Sequence, residues 1–327
     1  MRVLITGAGG FIGSHLVEDQ LGRGREVTAV DLHLGNLAHL EGRPELTVLQ
    51  SDFADRALLD SHLPGHDICF HLASAHLEKD VDEAYFWKVN VENTLAFAER
   101  CQSAGIARFV QCSSVGVYGD IENPPADEES ECHPDVAYER SKLAGENAVM
   151  AFAREHDYPA VAVRPAWVYG PRCPRTEKLF RAIKKGRFFY VGGGKTLRHP
   201  IYISDMVQGF EVAGGHANAP GGVFIIAGPR PVTLETLANE IADCVGARPP
   251  RLNFPAPLVW SGCMLLEVGG KLAGKEPPFT RRSLKFYTGN TAFSTQKAQD
   301  VLGFEAKVDL SEGLGRTYAW LVENGRI

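Results

Sequence analysis

The first half of the chain alternates short apolar runs with longer amphipathic segments. The apolar runs read as buried strands and lie at 2–6, 26–31, 46–50, 67–73, 108–113 and 160–164. Between them, residues 11–21, 81–104 and 138–156 carry apolar positions at helical spacing. Strands that alternate with helices are typical of a parallel sheet with helices on both faces. The pattern therefore predicts an α/β fold with a doubly wound parallel (Rossmann) sheet.

Beyond about residue 170 the pattern becomes irregular. A strand at Ile201–Asp205, leading into a helix from about Met206, is expected to return to the first part of the chain. We therefore predict a cofactor domain over 1–170, rejoined by 200–213, and a smaller mixed substrate domain over 171–327.

The most apolar segment of the second half runs from Leu258 to Val268. It is too short to span a bilayer, and Glu267 interrupts it. We expect a core helix here. A wall of the substrate pocket and an interfacial contact are the alternatives.

A glycine-rich turn follows the first predicted strand. Gly7, Gly10 and Gly13 form G-x-x-G-x-x-G between a strand and a helix, which is the context that makes such a triplet informative. The first glycine allows the tight turn, the second lets the backbone approach a pyrophosphate, and the third lets the helix pack close to the strand. The helix that opens with Phe11 and Ile12 would direct its N-terminal amides at the phosphates.

Polar residues also follow other strands at their carboxyl ends, where ligands bind in such sheets. Asp31 ends the second strand, where a carboxylate accepts hydrogen bonds from the adenosine ribose and repels a 2′-phosphate. This favours NAD over NADP, the alternative being that Asp31 only caps the next turn. Asp52 and Phe53 follow the third strand and could contact an adenine ring.

Tyr138 and Lys142 are four residues apart, so they share one face of a helix. A neighbouring ammonium favours the phenolate and lowers the tyrosine pKa, so that the phenol could exchange a proton with a secondary alcohol or ketone. Ser114, just past the fifth strand, could hold the same substrate oxygen. These residues predict hydride chemistry at a carbinol carbon.

Composition and charge exclude several other classes of protein. The net charge is −6, with acids and bases interspersed, and no basic run suggests nucleic acid. The seven cysteines are scattered and without C-x-x-C, which suggests reduced thiols in a cytoplasmic protein. The first strand starts at residue 2, so no signal peptide is expected. His71 and His76 have no second ligand at zinc spacing, so no metal site is predicted.

Taken together, the motifs resemble the extended short-chain dehydrogenase/reductase family, the group of NAD-dependent epimerases and dehydratases. Besides the residues above, the resemblance rests on Arg164-Pro-x-x-Val-Tyr-Gly-Pro171, Asn90-Val-Glu-Asn-Thr94, Arg198 before Ile-Tyr-Ile-x-Asp205, and Lys297-Ala-x-x-x-Leu-Gly303. It covers nearly the whole chain and is specific for fold, cofactor and catalytic apparatus rather than substrate.

The resemblance implies a role for each matching residue. Tyr138 would be the general acid/base, Lys142 would hold the nicotinamide ribose and tune Tyr138, and Ser114 would orient the substrate oxygen, with Ser113 as its nearest rival. Pro165 would contact the nicotinamide carboxamide, and Leu72 and Ala73 would line the middle of the NAD site. Tyr118 is expected to be structural. Members of the family commonly dimerise through the helices expected here at 81–104 and 138–156, so a homodimer is expected.

Departures from the family pattern narrow the activity. Ser114-Val115-Gly116 stands where 4,6-dehydratases carry Thr-Asp-Glu and where UDP-glucuronate decarboxylases usually keep a glutamate, so neither elimination nor that decarboxylation is expected. Trp167 replaces an asparagine common in nucleotide-sugar enzymes and makes the pocket more apolar. Arg172 and Arg198 remain as candidate diphosphate ligands.

The leading hypothesis is an NAD-dependent nucleoside-diphosphate-sugar epimerase that acts through a keto intermediate on a small-molecule substrate. The alternative is a 3β-hydroxysteroid-type or other alcohol dehydrogenase with an apolar substrate. A non-catalytic NAD sensor is a remote third, because a sensor has no need of Ser114, Tyr138 and Lys142 together.

Overall fold

The computed structural model describes residues 1–76, 81–273 and 281–327, and describes side chains for these except 267–273, 281–283 and 285. The strands are β1 (Arg2–Thr6), β2 (Glu26–Asp31), β3 (Leu46–Gln50), β4 (Ile68–His71), β5 (Arg108–Cys112), β6 (Ala160–Pro165), β7 (Trp167–Tyr169), β8 (Tyr190–Val191), β9 (Leu197–Arg198), β10 (Pro200–Tyr202), β11 (Val223–Ile226), β12 (Val232–Thr233) and β13 (Asn253–Phe254). The α-helices are α1 (Phe11–Gly22), α2 (Arg56–Leu59), α3 (Glu83–Trp87), α4 (Thr94–Ser103), α5 (Ala137–Glu155), α6 (Pro174–Lys184), α7 (Ile203–Gly215), α8 (Leu234–Cys244), α9 (Ala256–Ala273), α10 (Arg281–Thr288), α11 (Gln296–Leu302) and α12 (Leu310–Glu323). Two 3-10 turns (Gly35–Leu40 and Val115–Tyr118) and a π-helical segment (Lys88–Asn93) complete the described elements.

A seven-stranded sheet with the order β11-β6-β5-β4-β1-β2-β3 organises the molecule. Its strands pair in parallel throughout. The order reverses between β1 and β4, and ligands bind at such a switch point, beyond the carboxyl ends of the strands. The predicted fold class is confirmed.

Helices cover both faces of this sheet. On one face α1 and α7 pack together and bury Leu16, Met206 and Phe210. On the other face α4 and α5 bury Phe97 and Val149. Because both faces are covered, β1, β4 and β6 are almost wholly apolar and buried rather than alternating.

The segment that returns to the sheet is longer than the predicted 200–213. Helix α7 begins at Ile203, three residues earlier than expected, and packs against β5 and β6. Strand β11 then pairs with β6 and forms the edge of the sheet, with Ile226 opposite Pro165. The apolar run of β11 is short, and the sequence pattern alone did not reveal its partner.

The remaining elements form the smaller mixed part. Helices α6, α8 and α12 pack against one another, and α9 packs against α10. Two-residue and three-residue strands pair as β7 with β10, β8 with β13, and β9 with β12. Thr233 caps α8, because its hydroxyl accepts a hydrogen bond from the Thr236 amide at 3.0 Å.

The expectation of a core helix at 258–268 is wrong for the side chains that the structure describes there, 258–266. The segment is helical, within α9, and Cys263 is buried against Val191 and Leu284. Leu258 and Leu265, however, are 63% and 70% exposed, because only one side of α9 is covered by this small cluster. Within the described ranges, no helix is both long and apolar enough to cross a membrane.

Candidate active site

The glycine turn after β1 forms a cradle in which side chains would not fit. Gly7 has φ +68°, and a Cβ on it would lie 2.5 Å from the Ala73 amide nitrogen, at the end of β4. A Cβ on Gly9 would lie 1.8 Å from the His33 carbonyl oxygen, and one on Gly13 would lie 2.1 Å from the Gly7 oxygen. Since these neighbours are backbone atoms, the close approach requires glycine.

The same turn exposes the start of α1 to a ligand. Gly10 is the N-cap of α1 and has no side chain to cap the first amides of the helix, which begin at Phe11 and Ile12. Such unsatisfied amides, together with the helix dipole, favour a phosphate at this position. The cradle thus fits the pyrophosphate of a dinucleotide, as the glycine spacing predicted.

Asp31 is held rigidly at the end of β2. One carboxylate oxygen accepts the Gly9 amide and the other accepts the His33 amide, both at 2.9 Å. Asn36, which the sequence did not single out, donates to the Gly9 carbonyl at 2.8 Å. These bonds fix the carboxylate beside the glycine turn, where a ribose diol would meet it.

The residues predicted near the adenine and the middle of NAD differ in their burial and in the groups that a ligand could contact. The Phe53 ring is buried and packs edge-on against His71 at 4.8 Å, so only its backbone could meet an adenine. Asp52 accepts the Ala54 amide at 2.9 Å. Leu72 and Ala73 are half-buried at the end of β4 beside Gly7. Pro165 is buried at the end of β6.

Ser114 and Tyr138 meet at the ends of β5 and the first turn of α5. Ser114 is in extended conformation, and its Oγ accepts the Gly116 amide at 3.0 Å, which caps the 3-10 turn over 115–118. The Ser114 hydroxyl also lies close enough to the Tyr138 phenol to lower its pKa. The structure therefore brings together the two groups that were predicted to share a substrate oxygen.

Lys142 lies one turn further along α5 and is buried. Its ammonium donates to the Cys112 carbonyl oxygen at 2.6 Å. This bond ties α5 to the end of β5, two residues before Ser114. Lys142 thereby holds the serine and the tyrosine in register.

The charge balance at Tyr138 differs from the expectation. Burial raises the pKa of its phenol above the ordinary value, the neighbouring Cys112 thiol adds to this, and Arg175 and the Ser114 hydrogen bond oppose it. Burial also lowers the pKa of Lys142. Lys142 was expected to lower the tyrosine pKa, but its ammonium is bound to a carbonyl and desolvation of the phenol dominates. Tyr138 is therefore protonated at neutral pH, which is the form that donates a proton to a ketone.

Asn90 was quoted only as part of a motif, and its role was missed. Its side-chain oxygen accepts the Ala75 amide at 2.9 Å, and its nitrogen donates to the Ala75 carbonyl at 3.1 Å and to Ser141 Oγ at 2.9 Å. It lies in the π-helical segment, a kind of distortion frequent at functional sites. Asn90 thus anchors the loop after β4 to α5, and in that loop the His76 ring contacts the Tyr138 ring edge-on at 4.7 Å.

Below the site, a buried ion pair supports α5. Arg164 makes a bidentate pair with Glu146 at 3.0 and 2.5 Å and donates to the Tyr118 hydroxyl at 2.5 Å. Because all three side chains are buried and mutually bonded, Tyr118 has a structural role, as expected.

The three predicted substrate residues lie in different surroundings. Trp167 is half-buried and stacks on Tyr169. The Arg172 guanidinium makes two 2.7 Å bonds to Glu18 of α1. The buried Arg198 guanidinium donates to the backbone carbonyls of Phe286 and Gly289, and burial lowers its pKa to about 10. Their roles toward substrate stay predictions.

His71 is a hydrogen-bonded strand residue. Its ring nitrogens bond Thr6 Oγ1 at 2.7 Å and Thr94 Oγ1 at 3.2 Å. Among the side chains that the structure describes, no three of the His, Cys, Asp and Glu residues group as a metal would need.

Comparison with known proteins agrees with this geometry. Residues 3–227 match the model of the NAD dependent epimerase/dehydratase family. The chain is 32% identical to the UDP-glucose 4-epimerase of Mycolicibacterium smegmatis, over 97% of each sequence. It is 27% identical to the decarboxylating sterol-4-alpha-carboxylate 3-dehydrogenase of Mus musculus, over 97% of this chain and 90% of that one.

A solved structure extends the likeness to the fold. MoeE5 in complex with UDP-glucuronic acid and NAD superposes with a TM-score of 0.78 and 28% identity, over 99% of this chain and 100% of that chain. The glycine cradle and the fixed Asp31 carboxylate fit the same cofactor. The chain belongs to the NAD-dependent epimerase/dehydratase family and is an NAD-dependent enzyme of the extended short-chain dehydrogenase/reductase type.

Proposed function

We propose that this enzyme oxidises a secondary alcohol to a ketone at Tyr138 and that it is a nucleoside-diphosphate-sugar epimerase. The observation that carries the redox part is that the Lys142 ammonium joins α5, which carries Tyr138, to the Cys112 carbonyl at the end of β5 at 2.6 Å, with the Ser114 hydroxyl close enough to the Tyr138 phenol to lower its pKa. This junction lies at the strand ends, and Lys142 is buried there. NAD, bound in the cradle, supplies the hydride acceptor.

The three side chains divide the work at the substrate oxygen. Ser114 donates a hydrogen bond that orients the oxygen. As the phenolate, Tyr138 accepts the hydroxyl proton during oxidation, and as the phenol it returns that proton during reduction, since the two directions use the same group. Lys142 holds the end of β5 against α5 through the Cys112 carbonyl, and its positive charge favours the transient phenolate.

Epimerisation requires the ketone to be reduced again from its opposite face. No further acid or base is needed, which suits a site with one proton-transfer group. Full-length likeness to a UDP-glucose 4-epimerase supports a nucleotide sugar as the substrate.

Dehydration would require more than the site offers. A side chain added at Gly116 would meet Ser114 Oγ and Glu139 Cγ at 3.2 Å. The Glu139 carboxylate already accepts the amides of Asp135 and Val136 at the start of α5. The space that a catalytic acid at position 116 would need is therefore crowded.

A dehydrogenase for an apolar alcohol is the second candidate. Trp167 presents a large apolar surface, while the guanidinium groups of Arg172 and Arg198 are engaged by Glu18 and by backbone carbonyls. The relative that acts on a sterol carboxylate is 27% identical. In this case the ketone would leave and NADH would accumulate.

We also propose a homodimer through the helical faces at 81–104 and 138–156, and a cytoplasmic location. Trp87, 38% exposed on α3, supports a contact there. The cysteines are thiols and form no disulfide, which suits a reducing compartment. Light scattering coupled to gel filtration tests the dimer: a monomeric mass would contradict it.

The decisive experiment combines a substrate screen with one variant. Purified enzyme and NAD are incubated with UDP-, GDP- and dTDP-sugars and, separately, with sterol alcohols. NMR detects an epimer, and absorbance detects NADH. An epimer without net NADH supports the epimerase, whereas stoichiometric NADH from an apolar alcohol supports the second candidate.

Tyr138→Phe keeps the ring and removes the proton carrier, so kcat should fall by about 10²–10⁴-fold with NAD affinity little changed. Tyr318→Phe on α12 is the matched control and should leave kcat unchanged. Near-normal turnover by Tyr138→Phe would refute the assignment. A wild type that binds NAD but turns over none of these substrates would favour the NAD sensor.

A further inference from the structure

An apolar surface covers the outer side of α9 and the strand before it. We call the exposed side chains of Leu252, Phe254, Leu258, Met264 and Leu265 the α9 patch. Leu252 is 60% exposed, and Leu258 and Leu265 are still more so. A contiguous set of large apolar side chains in water marks an interaction site rather than ordinary surface.

The part of α9 whose side chains the structure describes, 256–266, lacks the charged face of an ordinary surface helix. Its inner side packs through Val259 and Cys263 against Val191 and Leu284. Leu258, Met264 and Leu265 lie on the opposite side, where a globular helix is normally charged. From residue 252 to residue 266 the sequence contains no Asp, Glu, Lys or Arg.

Basic residues flank the two paired strands, β8 and β13, that lead into this surface. Strands β8 and β13 pair in parallel, so the residues before them, Arg187 and Arg251, leave the ladder at the same end. Both are exposed, as are Arg248 and, at the end of α6, Lys184 and Lys185. No Asp or Glu occurs in 184–195 or 245–266, although the whole chain has a net charge of −6. Within these two stretches of sequence the charge is therefore only positive.

We propose that the α9 patch docks this enzyme onto the surface of a bilayer that contains anionic lipids. Apolar side chains flanked by lysine and arginine are what an interfacial helix presents to such a surface. The leucines would enter the boundary between headgroups and acyl chains, while the long basic side chains reach anionic headgroups. Helix α9 would lie in the plane of the membrane.

A second copy of the chain fits this surface less well. A symmetric dimer through the patch would bring the same surface of both copies together. The arginines beside the patch would then face like charges, which opposes association. The proposal concerns a surface that contains none of the proton-transfer residues and holds for either substrate class.

The test is flotation of the full-length enzyme, with NAD bound, on vesicles of stated composition. One set contains phosphatidylcholine alone, and the other contains phosphatidylcholine and phosphatidylglycerol in equal amounts. The wild type should bind the anionic vesicles more strongly than the neutral ones. Leu258→Gln/Leu265→Gln should lower the partition coefficient by at least about tenfold, and Arg187→Gln/Arg251→Gln should lower it by about tenfold on anionic vesicles only.

The matched control variants replace the same types of side chain at positions outside the patch. Val48→Gln/Val322→Gln changes two exposed apolar residues outside the patch, 39% and 50% exposed. Arg43→Gln/Arg56→Gln removes two exposed positive charges near the sheet. Both controls should bind vesicles as the wild type does, and all variants should keep the wild-type thermal unfolding midpoint.

Three results would overturn the proposal. The first is a wild type that floats with neither vesicle set. The second is binding to neutral vesicles as strong as to anionic ones. The third is a dimer, seen in sedimentation, that Leu258→Gln/Leu265→Gln dissociates, because the patch would then be covered by a second copy.

Discussion

Gly13 offers the sharpest test of the cofactor cradle, because its neighbours are fixed. In Gly13→Ala the new Cβ would lie 2.1 Å from the Gly7 oxygen and 2.9 Å from the Ala8 Cα, both backbone atoms of the turn. Ordinary contact would require α1 to move away by about 1 Å, and overpacking of this kind costs about 1–3 kcal/mol of stability. The same movement displaces the helix amides from the pyrophosphate. We expect the affinity for NAD to fall by at least about tenfold, or about 1.4 kcal/mol.

Gly22→Ala is the matched control within the same helix. A Cβ there would have no heavy atom within 4 Å, and replacing a helical glycine by alanine stabilises by about 0.4–1 kcal/mol. Thermal unfolding should therefore show Gly13→Ala to be less stable and Gly22→Ala more stable than the wild type. Calorimetric titration should show weaker NAD binding for Gly13→Ala. If Gly13→Ala bound NAD within about threefold of the wild type, the close approach of α1 to the turn would not be what forms the phosphate site.

Further predictions concern the cofactor, the core and the substrate. Asp31→Ala should weaken NAD binding and narrow its advantage over NADP, and a wild type that bound both equally in calorimetry would contradict the assignment. Burial lowers the pKa of His71 from 6.5 to about 3, so on acidification the unfolded chain takes up a proton that the folded chain does not. The free energy of unfolding should therefore fall by about 1.4 kcal/mol per pH unit between about pH 6 and 4. In denaturant unfolding, the stability of the wild type relative to His71→Gln should fall by that amount. A difference that stays constant with pH would refute the prediction. Trp167→Ala should weaken the binding of an apolar alcohol. Arg198→Ala should cost about 1.5–3 kcal/mol of nucleotide-sugar affinity if its guanidinium meets the diphosphate. Titration of both variants with substrate separates these two substrate classes.

The sheet and the glycine turn could be predicted because their signals are local. β1 and β6 are buried on both faces, so each is a continuous apolar run, and the run is visible in the sequence. Two of the predicted glycines, Gly7 and Gly13, are required by backbone atoms that lie one strand away or a few residues away. Tyr138 and Lys142 could be paired because the period of a helix fixes their common face.

Other features depend on contacts with residues far away in sequence, which no local sequence pattern predicts. The π-helical segment at 88–93 accompanies Asn90's bonds to Ala75 and Ser141, fifteen and fifty-one residues away in sequence. The carbonyls that accept hydrogen bonds from Arg198, those of residues 286 and 289, are also far from it in sequence. The apolar composition of α9 correctly predicted a helix, but burial was the wrong inference. Composition shows that a side chain avoids water without showing what covers it.

The site also shows why a Tyr-x-x-x-Lys spacing does not by itself fix the protonation of the tyrosine. The spacing places Lys142 on the face of Tyr138, but the ammonium donates its hydrogen bond to the Cys112 carbonyl. Desolvation then raises the pKa of Tyr138 and lowers that of Lys142. A protonated phenol is ready to give a proton to a ketone, whereas oxidation of an alcohol must first place a negative charge on the phenol. The burial that excludes water from the reaction therefore favours the reductive half, and the positive charge of Lys142 offsets this penalty when the proton moves the other way.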